Sequence, residues 1–138
     1  MSEECKIIYF VSCYPAVSHT FIYNEIKKLR QLGVQIDVVS VNESNYAKDH
    51  LDDALREEVD KTFYLKRQGI SGALQSIVKL LVFNPIRFFK ALCFTWSFVR
   101  SMRKSLKYIL GYFAEACILA AWLRQKQASH VHIHFGNV

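Results

Sequence analysis

The sequence predicts an α/β protein with a Rossmann-like open parallel sheet and helices packed on it. Two short apolar segments rich in β-branched residues, at positions 6–12 and 34–41, are typical of strands buried in a parallel sheet. A segment with helical spacing lies between them, and the unit of about 36 residues has the length of a right-handed parallel crossover. Hydrophobic residues make up 51% of the 138 positions, which indicates a single folded domain over residues 1–138.

The helix of this first unit is predicted over residues 20–32. Its apolar side chains recur at helical spacing: Phe21, Ile22, Ile26, Leu29 and Leu32. Ser18 or Thr20 is expected to cap the amino terminus, because a short hydroxyl side chain can accept a hydrogen bond from the first free amides. Gly33 stands where a C-terminal cap belongs.

The elements that follow are predicted from apolar periodicity alone. A polar, acidic stretch is expected to contain a short helix at 52–59, followed by a short strand at 62–65. Three helices and a last strand are predicted at 71–83, 85–101, 105–127 and 131–135. Pro85 suits the first turn of its helix. No segment is typical of a linker that would divide the chain.

Charge is distributed unevenly along the chain. Residues 1–60 hold six Lys or Arg and eleven of the twelve acids, whereas residues 61–114 hold ten basic residues and no acid. Aromatic residues are interleaved with these basic residues, which favours a surface for anionic partners. Phospholipid head groups and nucleic acid are the two candidates. Nucleic acid is disfavoured, because the basic residues lie among helical apolar faces and no recognition motif is present.

The apolar helices are not expected to cross a membrane. A membrane-spanning helix needs about 20 nearly uninterrupted apolar residues. Four basic residues interrupt every such window: Lys79, Arg87, Lys90 and Arg100. A helix lying in the membrane interface remains compatible with the pattern.

Four cysteines bear on the cellular compartment: Cys5, Cys13, Cys93 and Cys117. They form no CxxC pair and follow no secretory signal, which favours a reducing, cytoplasmic compartment and free thiols. Each has apolar neighbours in the sequence, so we expect the cysteines to be small buried side chains without a metal or redox role.

The loop after the first strand occupies the place where open α/β sheets bind ligands. The amides and dipole of the following helix favour an anion such as phosphate there. The loop lacks the glycines of a GxGxxG dinucleotide motif, so NAD binding is not expected. Simple helix capping is the competing interpretation for Ser18 and Thr20, and a solvated loop position is the competing one for His19.

Alternation along the last strand places His130, His132 and His134 on the same face of the sheet. Three histidines at this spacing could chelate a metal, but zinc sites usually also recruit a cysteine or carboxylate from another element, and the sequence suggests no such partner. We therefore expect no metal. Instead, His134 is expected to face the crevice beside the first loop as a polar contact for a substrate hydroxyl or phosphate. A core histidine with satisfied hydrogen bonds is the alternative.

Two separated motifs carry a resemblance to a known family. The first, at residues 14–41, is YPxxSxTFIxxEIxxLxxxGxxxxVxSV, and the second, at residues 130–137, is HxHxHFGN. Together they resemble bacterial glycosyltransferases of family 4, in which helices rich in basic and apolar residues lie between the two motifs. The resemblance implies the N-terminal, Rossmann-like, acceptor-side half of a GT-B fold. It also implies retaining transfer of a sugar from a nucleotide-sugar donor to a lipid-linked or polysaccharide acceptor, without a cofactor or metal.

The resemblance assigns roles to individual residues. It implies that His134 is the catalytic histidine on the acceptor side of the reaction centre. The acceptor-binding candidates lie in or just after the first loop: Ser18, His19, Thr20, Asn24 and Glu25. At position 19 the family often has Glu, so His19 changes the local charge.

A GT-B enzyme binds its donor in a second domain that carries paired glutamates. The sequence stops at Val138, so the resemblance implies that this domain is missing and that the chain alone is inactive. The intact enzyme is expected to be cytoplasmic and peripheral at the inner face of the membrane. The alternative is a non-catalytic module, derived from such an enzyme, that binds an anionic membrane or a second polypeptide.

Overall fold

The computed structural model describes residues 6–46, 52–101 and 105–134. They form two compact units. One unit comprises the described residues up to Arg67 together with those from Gln127 onward, and it contains the whole sheet. The other unit, Gln68–Lys126, is helical.

The sheet has four strands in the order β3-β2-β1-β4, and every pair is parallel. The strands are β1 (Lys6–Cys13), β2 (Gln35–Asn42), β3 (Phe63–Tyr64) and β4 (His130–His134). This arrangement confirms the predicted α/β fold class with a Rossmann-like open parallel sheet. The prediction extended the last strand to Phe135, which lies outside the described residues.

Helix α1 (Thr20–Gln31) packs on one face of β1. Ile22 and Ile26 are fully buried one turn apart, and they join a cluster that includes Tyr9 and Val11 of β1. Successive residues of a strand face opposite sides of the sheet, so residues 9 and 11 both point towards α1. The helical spacing seen in the sequence therefore corresponds to a buried stripe.

The two ends of α1 differ in how well the sequence predicts them. Capping by Ser18 or Thr20 is wrong: His19 is the N-cap without a side-chain hydrogen bond, and Ser18 lies in a 3-10 turn, Val17–His19. Gly33 is confirmed at the other end, with φ of +86°. Its amide donates to the Arg30 carbonyl at 3.0 Å, and the next amide donates to Leu29 at 3.1 Å.

Helix α2 (Asp53–Lys61) and strand β3 complete this side of the sheet. Asp52 caps α2 by accepting a hydrogen bond from the Leu55 amide at 2.7 Å. At the opposite edge, Ser129 fixes the start of β4, because its amide and its hydroxyl both donate to the Lys6 carbonyl, at 3.1 and 2.9 Å.

The helical unit consists of α3 (Gly69–Phe83), α4 (Pro85–Ser101) and α5 (Leu106–Lys126), each of which contacts the other two. Pro85 begins α4, as predicted. Among the residues that the structure describes, no helix is both long and apolar enough to cross a bilayer.

The cysteines behave differently from one another. Cys117 in α5 is buried and Cys13 at the end of β1 is half-buried, but Cys93 in α4 is exposed. The prediction of a buried side chain is therefore wrong for Cys93, since the face of α4 that carries it is not covered. All three described cysteines are free thiols, and Cys5 lies outside the described residues.

Candidate functional site

The sheet creates a candidate ligand site next to β1 and β4. From β1 the chain continues to β2 and β3 on one side, and it returns to β4 on the other side. In open parallel sheets, ligands bind beyond the carboxyl ends of the strands at the point where the connections diverge in this way. Helix α1 starts after the loop that follows β1, so its first turns border this point.

Glu25 of α1 contacts His134, the last residue of β4, which pairs with Val11 near the carboxyl end of β1. Oε2 of Glu25 lies 3.6 Å from Nε2 of His134. The His134 side chain is 18% exposed and the Glu25 side chain 40% exposed, so a ligand can reach both. Two residues predicted from separate sequence motifs are thus in contact.

His132 belongs to the same cluster. Its Nε2 lies 3.1 Å from Nε2 of His134, which is a hydrogen-bonding distance when one imidazole donates and the other accepts. The two rings are in edge contact, with centroids 4.5 Å apart. His130, paired with Ile7 in the β1–β4 register, is exposed. His134 is thus not alone at the site, because His132 shares the contact.

Tyr9 of β1 contacts all three of these side chains. Its hydroxyl donates to Oε1 of Glu25 at 2.7 Å. Its ring lies against both imidazoles, with centroid distances of 4.9 Å to His132 and 5.5 Å to His134. Burial, together with the adjacent Glu25 carboxylate, raises the pKa of the Tyr9 hydroxyl well above its usual range. Tyr9 therefore remains a hydrogen-bond donor at neutral pH and fixes the orientation of Glu25.

The sequence did not single out Tyr9, and it indicated His132 only as one of three possible metal ligands, not as a partner of His134. A signal for Tyr9 was present, because its hydroxyl needs a partner within an otherwise apolar strand. The signal for His132 was its spacing of two residues from His134, because alternation along a strand puts both side chains on the same face of the sheet. What the sequence lacked was the register that places residue 9 directly opposite residue 132.

The other candidates lie around the start of α1. Ser18, Thr20 and Asn24 are exposed. His19 is half-buried and packs edge-on against the Phe21 ring at 6.2 Å. Phe21 also contacts the His134 ring at 6.3 Å, so one aromatic side chain connects the loop to the histidine cluster.

Two amides of the loop before α1 are engaged in hydrogen bonds within the protein. The Val17 amide donates to Oδ1 of Asn45 at 3.1 Å, and the His19 amide donates to the Ala16 carbonyl at 3.0 Å. The Tyr14–Pro15 peptide bond is cis. A phosphate cradle formed by the amides of residues 17 and 19 is therefore not present.

The helical unit contains a cavity of 490 Å³ lined by α3, α4 and α5. Its wall is mainly apolar and includes Leu80, Phe88 and Phe113. Two arginines, Arg87 and Arg124, are also among the lining residues, and the Arg124 guanidinium lies over the Phe83 ring at 4.8 Å. An apolar cavity with two arginines among its lining residues suits an amphiphile with an anionic head group.

Comparisons with known protein families, with curated proteins and with solved structures give no match.

Proposed function

We propose that this chain is the acceptor-side, Rossmann-like half of a retaining glycosyltransferase similar to family 4. The observation that carries the proposal is the contact between Glu25 and His134. The resemblance names these two residues from motifs at opposite ends of the sequence, and the fold joins them beside the point where ligands bind in open parallel sheets. The open parallel sheet is also what the N-terminal half of a GT-B enzyme requires.

In the proposed reaction, the acceptor hydroxyl oxygen bonds to the anomeric carbon of the donor sugar while the bond between that carbon and the nucleoside diphosphate breaks. The hydroxyl proton leaves with the diphosphate. The imidazole of His134 holds this hydroxyl in position, and Glu25 orients the imidazole. Tyr9 in turn fixes Glu25 through its hydrogen bond to the other carboxylate oxygen. The phosphate charge of the donor is met by the second domain of a GT-B enzyme, so this half supplies acceptor binding and His134.

The cavity in the helical unit suits a lipid chain rather than a polysaccharide. Its apolar wall fits a segment of an acyl or isoprenoid chain, and Arg87 and Arg124 fit the phosphate at the end of such a chain. A polysaccharide would instead need a wall rich in polar side chains that can hydrogen-bond sugar hydroxyls.

The surface of the helical unit supports binding to an anionic membrane, at the cytoplasmic face in the proposed enzyme. It exposes large apolar side chains that include Ile70, Phe94 and Trp96, and Phe94 is 72% exposed. The exposed lysines Lys79 and Lys90 belong to the stretch that has no acid. Exposed apolar groups together with exposed lysines are what an interface with anionic lipids requires. The same surface supports a second candidate function, a non-catalytic membrane-binding module.

The transfer reaction is tested with the protein expressed from its complete open reading frame. Membranes containing it are incubated with a panel of radiolabelled nucleotide sugars, and label is counted in lipid-extractable and in polymeric fractions. We expect label in the lipid fraction, reduced at least about 100-fold by Glu25→Gln and by His134→Ala. His130→Ala is the matched control, since His130 lies on the same strand and is exposed. Transfer that survives both site variants would contradict the proposal.

Membrane binding is tested separately by co-sedimentation of the purified chain with liposomes. We expect binding to vesicles with anionic lipid, weak binding to neutral vesicles, and loss of binding at high salt. The double variant Lys79→Glu/Lys90→Glu should weaken binding at least about tenfold. Lys27→Glu/Lys28→Glu changes two exposed lysines of α1 and should have little effect. Equal binding to both vesicle types would remove the electrostatic contribution.

A further inference from the structure

We infer that Glu25, His132 and His134 form a binding site for a divalent transition-metal ion of the zinc class. From the sequence we expected no metal, because no cysteine or carboxylate from another element was indicated as a further ligand. The fold supplies that carboxylate from α1, next to two imidazoles from β4. One ligand atom from each of the three residues can be chosen so that all of them lie within 4.8 Å of one another.

The distances match the spacing of ligands around one small cation. Zinc binds imidazole nitrogen and carboxylate oxygen at about 2.0–2.2 Å, so two ligands of a tetrahedral site lie roughly 3.4 Å apart. The two measured separations lie on either side of this value: 3.1 Å between the imidazole Nε2 atoms, and 3.6 Å between Nε2 of His134 and Oε2 of Glu25. Two of the three ligand pairs thus have the spacing expected around one ion.

The set of ligands indicates the class of metal. Two imidazoles and one carboxylate suit zinc and related first-row ions, whereas magnesium and calcium prefer oxygen ligands. Three protein ligands leave at least one coordination position open for water or a substrate oxygen, as in catalytic rather than structural zinc sites.

A supporting residue is already in place for this site. Tyr9 donates to Oε1 of Glu25, which leaves Oε2 directed towards His134. Such outer contacts orient carboxylate ligands and raise the affinity for the metal. The ring of Tyr9 also packs against both imidazoles and limits their rotation.

This inference goes beyond the proposed glycosyl transfer and does not depend on it. Metal uptake is measured on the purified chain without any sugar donor or acceptor. A chain that binds zinc but shows no transfer would retain the metal site and lose the proposed function. A chain that shows transfer without metal and fails to bind zinc would retain the proposed function and lose the metal site.

The experiment titrates Zn²⁺ into the chelator-treated chain and follows the heat of binding, with Co²⁺ absorption as a second readout. We expect one equivalent to bind, and we expect Mg²⁺ not to compete. His132→Ala and Glu25→Gln should each weaken zinc binding at least about 100-fold. Tyr9→Phe keeps the ring and removes only the hydroxyl, so it should weaken binding about 10- to 100-fold. His130→Ala, on the exposed position of the same strand, should bind like the unaltered chain.

Circular dichroism of each variant with chelator present verifies that it is folded. A folded chain that takes up no zinc would overturn the inference and leave the contact between His132 and His134 as a hydrogen bond between two imidazoles. Zinc binding that His132→Ala and Glu25→Gln leave unchanged would overturn it as well. So would a cobalt–thiolate charge-transfer band, because it would place the ion on cysteines.

Discussion

Arg30 of α1 and Glu58 of α2 form an ion pair that is shielded from solvent, with side chains 27% and 13% exposed. Nε and Nη2 of Arg30 also donate to the Ile36 carbonyl, at 3.2 and 3.0 Å. The second carboxylate oxygen of Glu58 accepts a hydrogen bond from the Tyr14 hydroxyl at 3.0 Å. One carboxylate therefore connects the loop after β1, the helix α1 and the helix α2.

We expect Glu58→Ala to reduce the free energy of unfolding by about 1–3 kcal/mol. The substitution leaves the Arg30 guanidinium without its carboxylate and the Tyr14 hydroxyl without its acceptor. Glu57→Ala, at the preceding position, is the matched control. The Glu57 carboxylate pairs with Lys61 in an exposed contact, so this substitution should not measurably change the free energy of unfolding. Urea unfolding measures both, and equal effects would contradict a special role for Glu58.

Two glycines should respond oppositely to substitution by alanine. Gly33 has φ of +86°, where a Cβ is strained, so Gly33→Ala should destabilise the protein by about 1 kcal/mol. Gly111 lies inside α5, and an added Cβ meets nothing within 4 Å, so Gly111→Ala should stabilise it by about 0.5–1 kcal/mol. Thermal unfolding gives both signs, and destabilisation by Gly111→Ala would disprove the helical environment assigned to that position.

The buried tyrosines should make the fold sensitive to alkali. Burial and the nearby Glu58 charge raise the pKa of the Tyr14 hydroxyl above its usual range. Burial raises the pKa of the Tyr64 hydroxyl to about 12. The unfolded chain ionises near pH 10. The stability that these hydroxyls contribute is therefore complete below about pH 10 and is lost as the pH rises beyond it.

We expect the free energy of unfolding to be unaffected by these groups between pH 8 and 9 and to fall above about pH 10. Tyr14→Phe should show a shallower fall, because one ionising group has been removed. Urea unfolding at successive pH values tests this. The same slope for both proteins would show that Tyr14 does not contribute.

Thiol reactivity should separate the described cysteines. Cys117 is buried, and desolvation raises the pKa of its thiol to about 11, so little reactive thiolate forms near neutral pH. Cys93 is exposed. At pH 8, an alkylating reagent should modify Cys93 at least about tenfold faster than Cys117 in the folded protein. Peptide mapping by mass spectrometry reads each site, and equal rates would place Cys117 at the surface.

Most of the fold could be predicted from the sequence because its elements are determined by local periodicity. The paired burial of Ile22 and Ile26 and the left-handed conformation of Gly33 follow directly from apolar spacing and from the absence of a Cβ. The predicted limits of α1 and α3 lie within about two residues of the observed ones, and the predicted limits of α4 coincide with the observed ones.

The candidate site was only partly predictable, because it depends on contacts between distant segments. Glu25 and His134 were selected from the resemblance, but their distance depends on the register between β1 and β4, which no local pattern encodes. The same register adds Tyr9 and His132. Ser18 was wrongly predicted as a cap. The loop forms a 3-10 turn at Val17–His19, so Ser18 lies within that turn and not at the N-cap of α1.

The bond between Ser129 and Lys6 joins residues 123 positions apart, and it starts the pairing of β4 with β1. Closing a longer loop costs more chain entropy, by about 0.6 kcal/mol for each doubling of its length. The β1–β2 crossover closes a much shorter loop, so β4 is the strand whose docking is entropically most demanding. A ligand held jointly by Glu25 and the β4 histidines binds only the closed chain, and by mass action it shifts the folding equilibrium towards that closed state.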